Sequence, residues 1–157
     1  ASQNNAVRVR LARELLPVIN SAGIKASVGD NPEKILWDKL VRMCAVGGVC
    51  SASGLPIGKV LRNNEWKKQL ERALEAAADV AEQEGVNISV SDEFAKITAL
   101  SASFKPSLLR DLEAGKPSEA DAILGAVVRK GRKYGTDVES VTMLIKKIEK
   151  KYDTKIS

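Results

Sequence analysis

The sequence predicts an all-α protein, and three observations predict it. Apolar residues recur at intervals of three and four along most of the chain, the spacing of one helical face. Most glycines and prolines fall between these stretches rather than inside them. Only one short segment alternates in the manner of a strand. The expected architecture is a compact array of six or seven helices.

Val7, Leu11, Leu15, Val18 and Ile19 predict a first helix over 7–20, stopped at Ser21-Ala22-Gly23. Residues 24–28 alternate and predict one short strand. A lone strand has no partner in such a chain and is not stable by itself, so it implies a sheet in a missing part of the protein. Gly29-Asp30-Asn31-Pro32 reads as a turn, with Asn31 as helix cap and Pro32 in the first helical position. The next helix runs to about Ser53, and Gly47-Gly48 should loosen or bend it. Gly54-Leu55-Pro56 breaks it before a short helical turn over 57–61.

Residues 66–84 form an amphipathic helix with Trp66, Leu70, Ala73, Leu74, Ala77 and Ala81 inward, ended by Gly85. A connection over 86–90 leads to a weaker helix opened by Ser91 and carried by Phe94, Ile97 and Leu100. A short helix over 106–114 is closed by Gly115, and a longer one over 116–134 by Gly135. The last helix, over 138–152, sets Val141, Leu144, Ile145, Ile148 and Tyr152 on one stripe.

Composition narrows the function classes. The chain has 157 residues, enough for one domain with a real core. Hydrophobic residues make up 44% and charged residues 29%, the balance of a soluble globular protein. No apolar run approaches the ~20 residues that span a bilayer, which argues against a membrane partner. The start, Ala1-Ser2-Gln3-Asn4-Asn5, lacks the pattern of a signal peptide and lacks an initiator Met, as in a processed, trimmed or fragmentary chain. Cys44 and Cys50 fall on one predicted helix, a rise of about 9 Å apart. A disulfide tolerates a Cα separation of about 7 Å, so both are expected as reduced thiols, which fits a cytoplasmic protein.

Histidine is absent. That removes Ser-His-Asp and Cys-His arrangements together with the commonest metal ligand, and two cysteines alone build no ordinary zinc site. Catalysis therefore falls to Lys, Glu, Asp, Ser or Tyr, with no metal expected. The net charge is +5, with basic clusters at Arg129-Lys130-Gly131-Arg132-Lys133 and at Lys146, Lys147, Lys150, Lys151 and Lys155. Such runs suit nucleic acid or an anionic small molecule, and more often they are solvated helix faces. An aromatic content of 4% argues against a base-stacking surface.

Lys39 stands out. It lies in the stretch Asn31 to Val46, at the margin of a face made by Ile35, Leu36, Leu40, Cys44 and Val46, and next to Trp37. A partly buried ammonium is costly unless it is paired or used, and a lysine in such a place can act as a proton donor. The plainer reading is a lysine that snorkels its head to water past an apolar stem. Two other motifs fail. Gly54-Leu55-Pro56-Ile57-Gly58-Lys59 has three residues rather than four between its glycines, and Val60 where a phosphate loop needs Ser or Thr. No Gly-x-Gly-x-x-Gly occurs, so no dinucleotide fingerprint is present.

One constellation holds together: Trp37-x-Lys39-Leu40, Gly54-Leu55-Pro56-Ile57-Gly58, the segment Lys105-Pro106-Ser107 through Glu119-Ala120-Asp121-Ala122-Ile123, then Gly125 and Val127-Val128. In this order it resembles the C-terminal domain of the ketopantoate reductases (2-dehydropantoate 2-reductases), over roughly residues 30–150. The resemblance implies a fold of the 6-phosphogluconate dehydrogenase C-terminal-like kind. It makes residues 1–29 the tail of an absent N-terminal cofactor domain, with a leftover helix and strand of its Rossmann sheet, and 30–157 the helical substrate-binding and catalytic domain.

That family reduces 2-ketopantoate or related 2-keto acids with NADPH, which the Rossmann domain binds. Carried over residue by residue, the resemblance implies that Lys39 is the catalytic lysine that protonates the substrate carbonyl. It implies that Glu119 is the catalytic carboxylate that positions substrate and lysine, and that Ser107 binds the substrate's polar end. Hydride arrival leaves negative charge on the carbonyl oxygen, and an ammonium there stabilises it and supplies the proton. Read without the resemblance, Ser107 and Glu119 are ordinary residues of helix starts.

Met43, Gly47 and Leu124 stand where the family commonly carries asparagine. The expected substrate is then more apolar, or the member weakly active. The parent protein is expected to be a cytoplasmic oxidoreductase of pantothenate biosynthesis, with a homodimer admitted by the resemblance, and the chain alone is expected to be inactive. The alternative expectation is a basic helical interaction module for nucleic acid or an acidic partner.

Overall fold

A computed structural model describes the backbone of residues 2–29 and 31–156, and the side chains of residues 10–29 and 31–156. All regular structure among the described residues is helical. The chain forms two compact units, one ending at Ile35 and the other beginning at Leu36.

The first unit carries α1, Ser2–Ser21, which starts earlier than the apolar spacing predicts. Its stripe of Leu11, Leu15 and Val18 is exposed. The expected strand over 24–28 does not form: residues 24–29 carry no regular structure. A strand needs a ladder partner, and here a side chain substitutes at one point. The Ala26 N–H donates to Asn20 Oδ1 at 3.0 Å, and Asn20 Nδ2 donates back to the Ala26 carbonyl at 3.3 Å. The turn expected over 29–32 includes position 30, which lies outside the described residues. Beyond it Asn31 caps as predicted, its Oδ1 accepting from the Lys34 N–H at 2.9 Å.

α2, Pro32–Ser53, runs through the core of the second unit. Val41, Cys44, Ala45, Val49 and Cys50 have no exposed surface. The Gly47-Gly48 pair does not interrupt this helix. A Cβ on Gly47 would lie 3.2 Å from Leu108 Cδ2, and one on Gly48 would lie 3.0 Å from Leu124 Cδ2 and 3.1 Å from Leu144 Cδ1. The glycines therefore serve close packing of neighbouring side chains rather than a bend.

α3, Ile57–Arg62, follows the Gly54-Leu55-Pro56 break. Its first two N–H groups reach across to a distant turn: Ile57 donates to the Phe104 carbonyl and Gly58 to the Ala102 carbonyl, both at 3.0 Å. A Cβ on Gly58 would sit 2.6 Å from the Ala102 oxygen, so this approach requires glycine. α4, Asn64–Gln83, starts on an Asn63 cap that accepts from the Trp66 N–H at 3.0 Å. It buries Leu70, Ala73, Leu74, Ala77 and Ala81 as predicted, while Trp66 is half-buried. α4 packs against α3, against α5 at Val90–Thr98, against α7 at Ala126–Tyr134, and against α8 at Glu139–Tyr152. α5 is capped by Ser89, two residues before the predicted start.

α6 spans Ser107–Glu113. The helix expected to begin at 116 begins instead at Ala120, and its first turn, Asp121–Gly125, is a π-helix that continues into α7. Pro117 lies in the non-helical approach. Arg129 spans the wide turn, donating to Asp121 Oδ1 at 2.6 Å and to the Asp121 carbonyl at 3.3 Å.

Both cysteines are buried free thiols, as expected. Burial pushes Cys44 and Cys50 from 9.0 up to about 12. Unfolded thiols ionise first as pH rises, so their contribution to stability falls above about pH 9. Neither thiol should react with a disulfide reagent at about pH 8 while the chain is folded, and both should react once urea unfolds it. Stoichiometric labelling of the folded chain would contradict this burial.

Candidate active site

α2 places Lys39, Met43 and Gly47 four residues apart on one stripe that passes from water into the core. Lys39 is exposed, Met43 half-buried and Gly47 buried. The plainer reading of Lys39 therefore fits: the first turns of α2 project its head into solvent. Its side chain makes no hydrogen bond or ion pair among the described residues. The buried end of the stripe meets Leu108 of α6, about 12 Å along the helix axis from Lys39.

Leu108 follows Ser107, the half-buried first residue of α6. Pro106, with φ −61° and ψ 154°, occupies the cap position, so the Ser107 hydroxyl is not used in capping. Glu119 is exposed immediately before the helix that opens at Ala120, and its carbonyl accepts from the Ile123 N–H at 3.0 Å. Leu124, five residues beyond Glu119, meets the Gly48 position of α2. α2 therefore joins the elements that carry all three residues. Among the described residues no hydrogen bond or ion pair links Lys39, Ser107 and Glu119 to one another.

Other residues of the same segment hold the fold. Lys105 Nζ donates to both carboxylate oxygens of Glu113, at 2.7 and 2.9 Å, and so bridges the ends of α6. Leu108, Leu109 and Leu112 fill the core. Gly54 and Gly58, tested above as a phosphate loop, end α2 and admit the 102–104 turn.

Sequence reasoning missed two charged groups. Glu93, with 1% of its side chain exposed, is paired with Arg42 of α2 and with Lys96. The available signal was a second cation, Arg42, within the same apolar stretch as Lys39. The other group surrounds Trp37. Lys130 Nζ lies 2.8 Å from Glu84 Oε1 and 6.0 Å from the Trp37 ring centre, and the Tyr134 hydroxyl donates to Glu84 Oε1 at 2.6 Å. The bonds from Lys130 and Tyr134 hold the Glu84 carboxyl below its ordinary value. Leu36, Trp37, Leu40, Glu84 and Lys130 line a shallow hollow of about 200 Å³. Two members of the 129–133 basic run, Arg129 and Lys130, thus pair within the fold.

No cluster of His, Cys, Asp and Glu among the described residues is arranged to hold a metal. No helix of the described residues is long and apolar enough to cross a membrane. The glycines with positive φ stand singly at helix ends or in turns, and none opens a strand-to-helix phosphate turn. The described residues therefore do not fit a dinucleotide cradle.

Removing Arg42 would leave a buried carboxylate with only Lys96. Arg42→Ala is expected to cost about 2 kcal/mol, below the full ~3–5 kcal/mol of a broken buried pair because Lys96 remains. Urea unfolding measures this, and an unchanged midpoint would show that the pair contributes nothing.

The family described as ketopantoate reductase PanE/ApbA C terminal matches residues 31–152. The 2-dehydropantoate 2-reductase of Archaeoglobus fulgidus is 28% identical over 126 residues, covering 80% of this chain and 43% of that protein. The chain thus spans less than half of that relative's length. Among solved structures, a PanE/ApbA family ketopantoate reductase from Ralstonia eutropha JMP134 superposes with a TM-score of 0.77 at 28% identity, covering 90% of this chain and 49% of that one. D-mandelate dehydrogenase, solved with NADH and anilino(oxo)acetate, shares the fold at a TM-score of 0.81 and 23% identity, over 94% of this chain and 62% of that one.

Proposed function

The chain belongs to the family of ketopantoate reductase C-terminal domains, and from that premise we propose that it is the helical substrate-binding half of an NADPH-dependent 2-keto acid reductase. The observation that carries the reading is the family match over residues 31–152, which takes in Lys39, Ser107 and Glu119. Residues 1–29 are then the end of a Rossmann cofactor domain, to which NADPH is assigned. The parent enzyme is cytoplasmic and homodimeric in this reading, and serves pantothenate biosynthesis if ketopantoate is its substrate.

The ammonium of Lys39 faces the carbonyl oxygen of the bound keto acid. It stabilises the negative charge that builds there during reduction and gives that oxygen its proton. Glu119, at the opening of a helix beside the positive end of the helix dipole, orients both the lysine and the substrate. Ser107 donates to the polar end of the substrate. Lys39 and Glu119 are exposed in this chain. Exclusion of water, which strengthens such electrostatic contacts, therefore comes from closure of the cofactor domain over them.

The substrate is a 2-keto acid with an apolar side chain. At the positions where the family commonly has asparagine, Leu124 and Gly47 take part in core packing and Met43 is half-buried. A pocket without those amides loses affinity for hydroxylated substrates and keeps it for aliphatic ones.

In the whole protein, Lys39→Ala is expected to lower kcat by about 10²–10⁴-fold with an unchanged circular dichroism spectrum. An unaltered rate removes Lys39 from the chemistry. The isolated 157-residue chain should give no keto-acid-dependent oxidation of NADPH, and turnover by it would overturn the division into two halves.

A further inference from the structure

A second hollow, of about 180 Å³, lies between α7, α8 and the C-terminal tail. Val128, Ile145 and Ile156 supply its apolar lining, and Arg129, Arg132 and Lys146 supply its cations. Val128 and Ile145 are buried and Ile156 is half-buried, so three branched aliphatic groups face one small space. The tail is held back over α8 because the Ile156 N–H donates to Glu149 Oε1 at 2.8 Å. The Thr142 hydroxyl, also on the lining, is committed to the Val138 carbonyl at 3.0 Å.

The charges around this hollow do not cancel. Arg129 is held by Asp121 at 2.6 Å. Arg132 makes no side-chain hydrogen bond or ion pair among the described residues. Lys146 stands 4.0 Å from Glu139, with both side chains about two-thirds exposed, a contact worth little in water. Within the lining itself, with Arg129 held by Asp121, Arg132 and Lys146 stand against the single carboxylate of Glu149, which leaves one positive charge over an apolar floor; the Glu139 carboxylate stands outside the lining.

We propose that this hollow binds a short-chain aliphatic monocarboxylate. The carboxylate takes a bidentate hydrogen bond from the Arg132 guanidinium and a third bond from Lys146, and the alkyl chain lies on Val128, Ile145 and Ile156. Charge balance selects a monoanion over a dianionic phosphate. The aliphatic floor selects a hydrocarbon tail over a bare ion. The volume lies below the ~300 Å³ at which drug-sized pockets begin, and so limits the ligand to a short chain. None of the lining residues is Lys39, Ser107 or Glu119, so this site stands whether or not those residues reduce a keto acid.

The test is a ¹H–¹⁵N NMR titration of the whole 157-residue chain at low salt with sodium hexanoate, with 1-hexanol and sodium phosphate as separate probes. Hexanoate should give saturable shifts in the millimolar range at amides of α7, α8 and residues 153–156, while neither control saturates the same signals. The Arg132→Gln, Lys146→Gln double variant, altered only at exposed positions, should keep the spectrum's dispersion and lose at least about tenfold in affinity. Equal shifts from phosphate would reduce the feature to a basic patch, and equal shifts from hexanol to a greasy hollow. Either result, absence of saturation, or an unaffected double variant overturns the proposal.

Discussion

The close approach of side chains to the middle of α2 is the constraint on which the second unit depends. Gly47 and Gly48 present bare backbone there, and Leu108, Leu124 and Leu144 from three different elements occupy the space that Cβ atoms would need. A glycine pair inside a helix costs roughly 1 kcal/mol per residue in propensity. The burial of three leucines offsets that cost, at about 1.5–3 kcal/mol for each side chain removed from water. The same packing shapes the candidate site. A side chain at position 47 would meet Leu108, and Leu124 occupies the space over Gly48. The apolar residues at family asparagine positions and the dense centre of the array are therefore one property of this chain.

The charge inside the most apolar stretch of the sequence shows how far spacing can be read. Lys39 and Arg42 lie three residues apart on α2, and both interrupt its hydrophobic pattern. Arg42 reaches the buried carboxylate of Glu93, fifty-one positions along the chain, whereas Lys39 reaches solvent. A pattern of apolar residues states that a cation at its margin must find water or a partner. Which of the two it finds depends on α5, whose arrival against α2 no local pattern encodes.

The helices were legible because each carries its own periodicity and its own stops. Asn31 and Pro32 open α2 as read, and Gly85, Gly115 and Gly135 stand in left-handed backbone at the ends of their helices, where the chain must turn. The π-turn at Asp121–Gly125 was not legible. One extra residue in a turn leaves no mark within the run Ala122-Ile123-Leu124-Gly125-Ala126-Val127-Val128, where either phase buries apolar groups. The strand expected over 24–28 failed for a related reason: alternation describes a surface that a strand can use, but the ladder requires a second strand. Within the site, the resemblance supplied the roles of Lys39, Ser107 and Glu119, whereas the Glu93 and Glu84 ion pairs emerged only in three dimensions.

The residues of the family segment divide by what occupies them. Lys105 and Glu113 bind each other across α6, Asp121 and Arg129 bind each other across the π-turn, and the leucines of α6 are sealed in the core. Lys39, Ser107 and Glu119 have no such duty. Their side chains are at least partly accessible, they make no hydrogen bond among the described residues, and they lie on or beside elements that α2 fixes through Gly47 and Gly48. A fold that pairs the charged side chains of this segment with one another while leaving these three groups unspent separates stability from chemistry. Replacing any of the three removes no side-chain hydrogen bond or ion pair found among the described residues, so a loss of activity that follows such a replacement with the fold intact reports on the reaction rather than on folding.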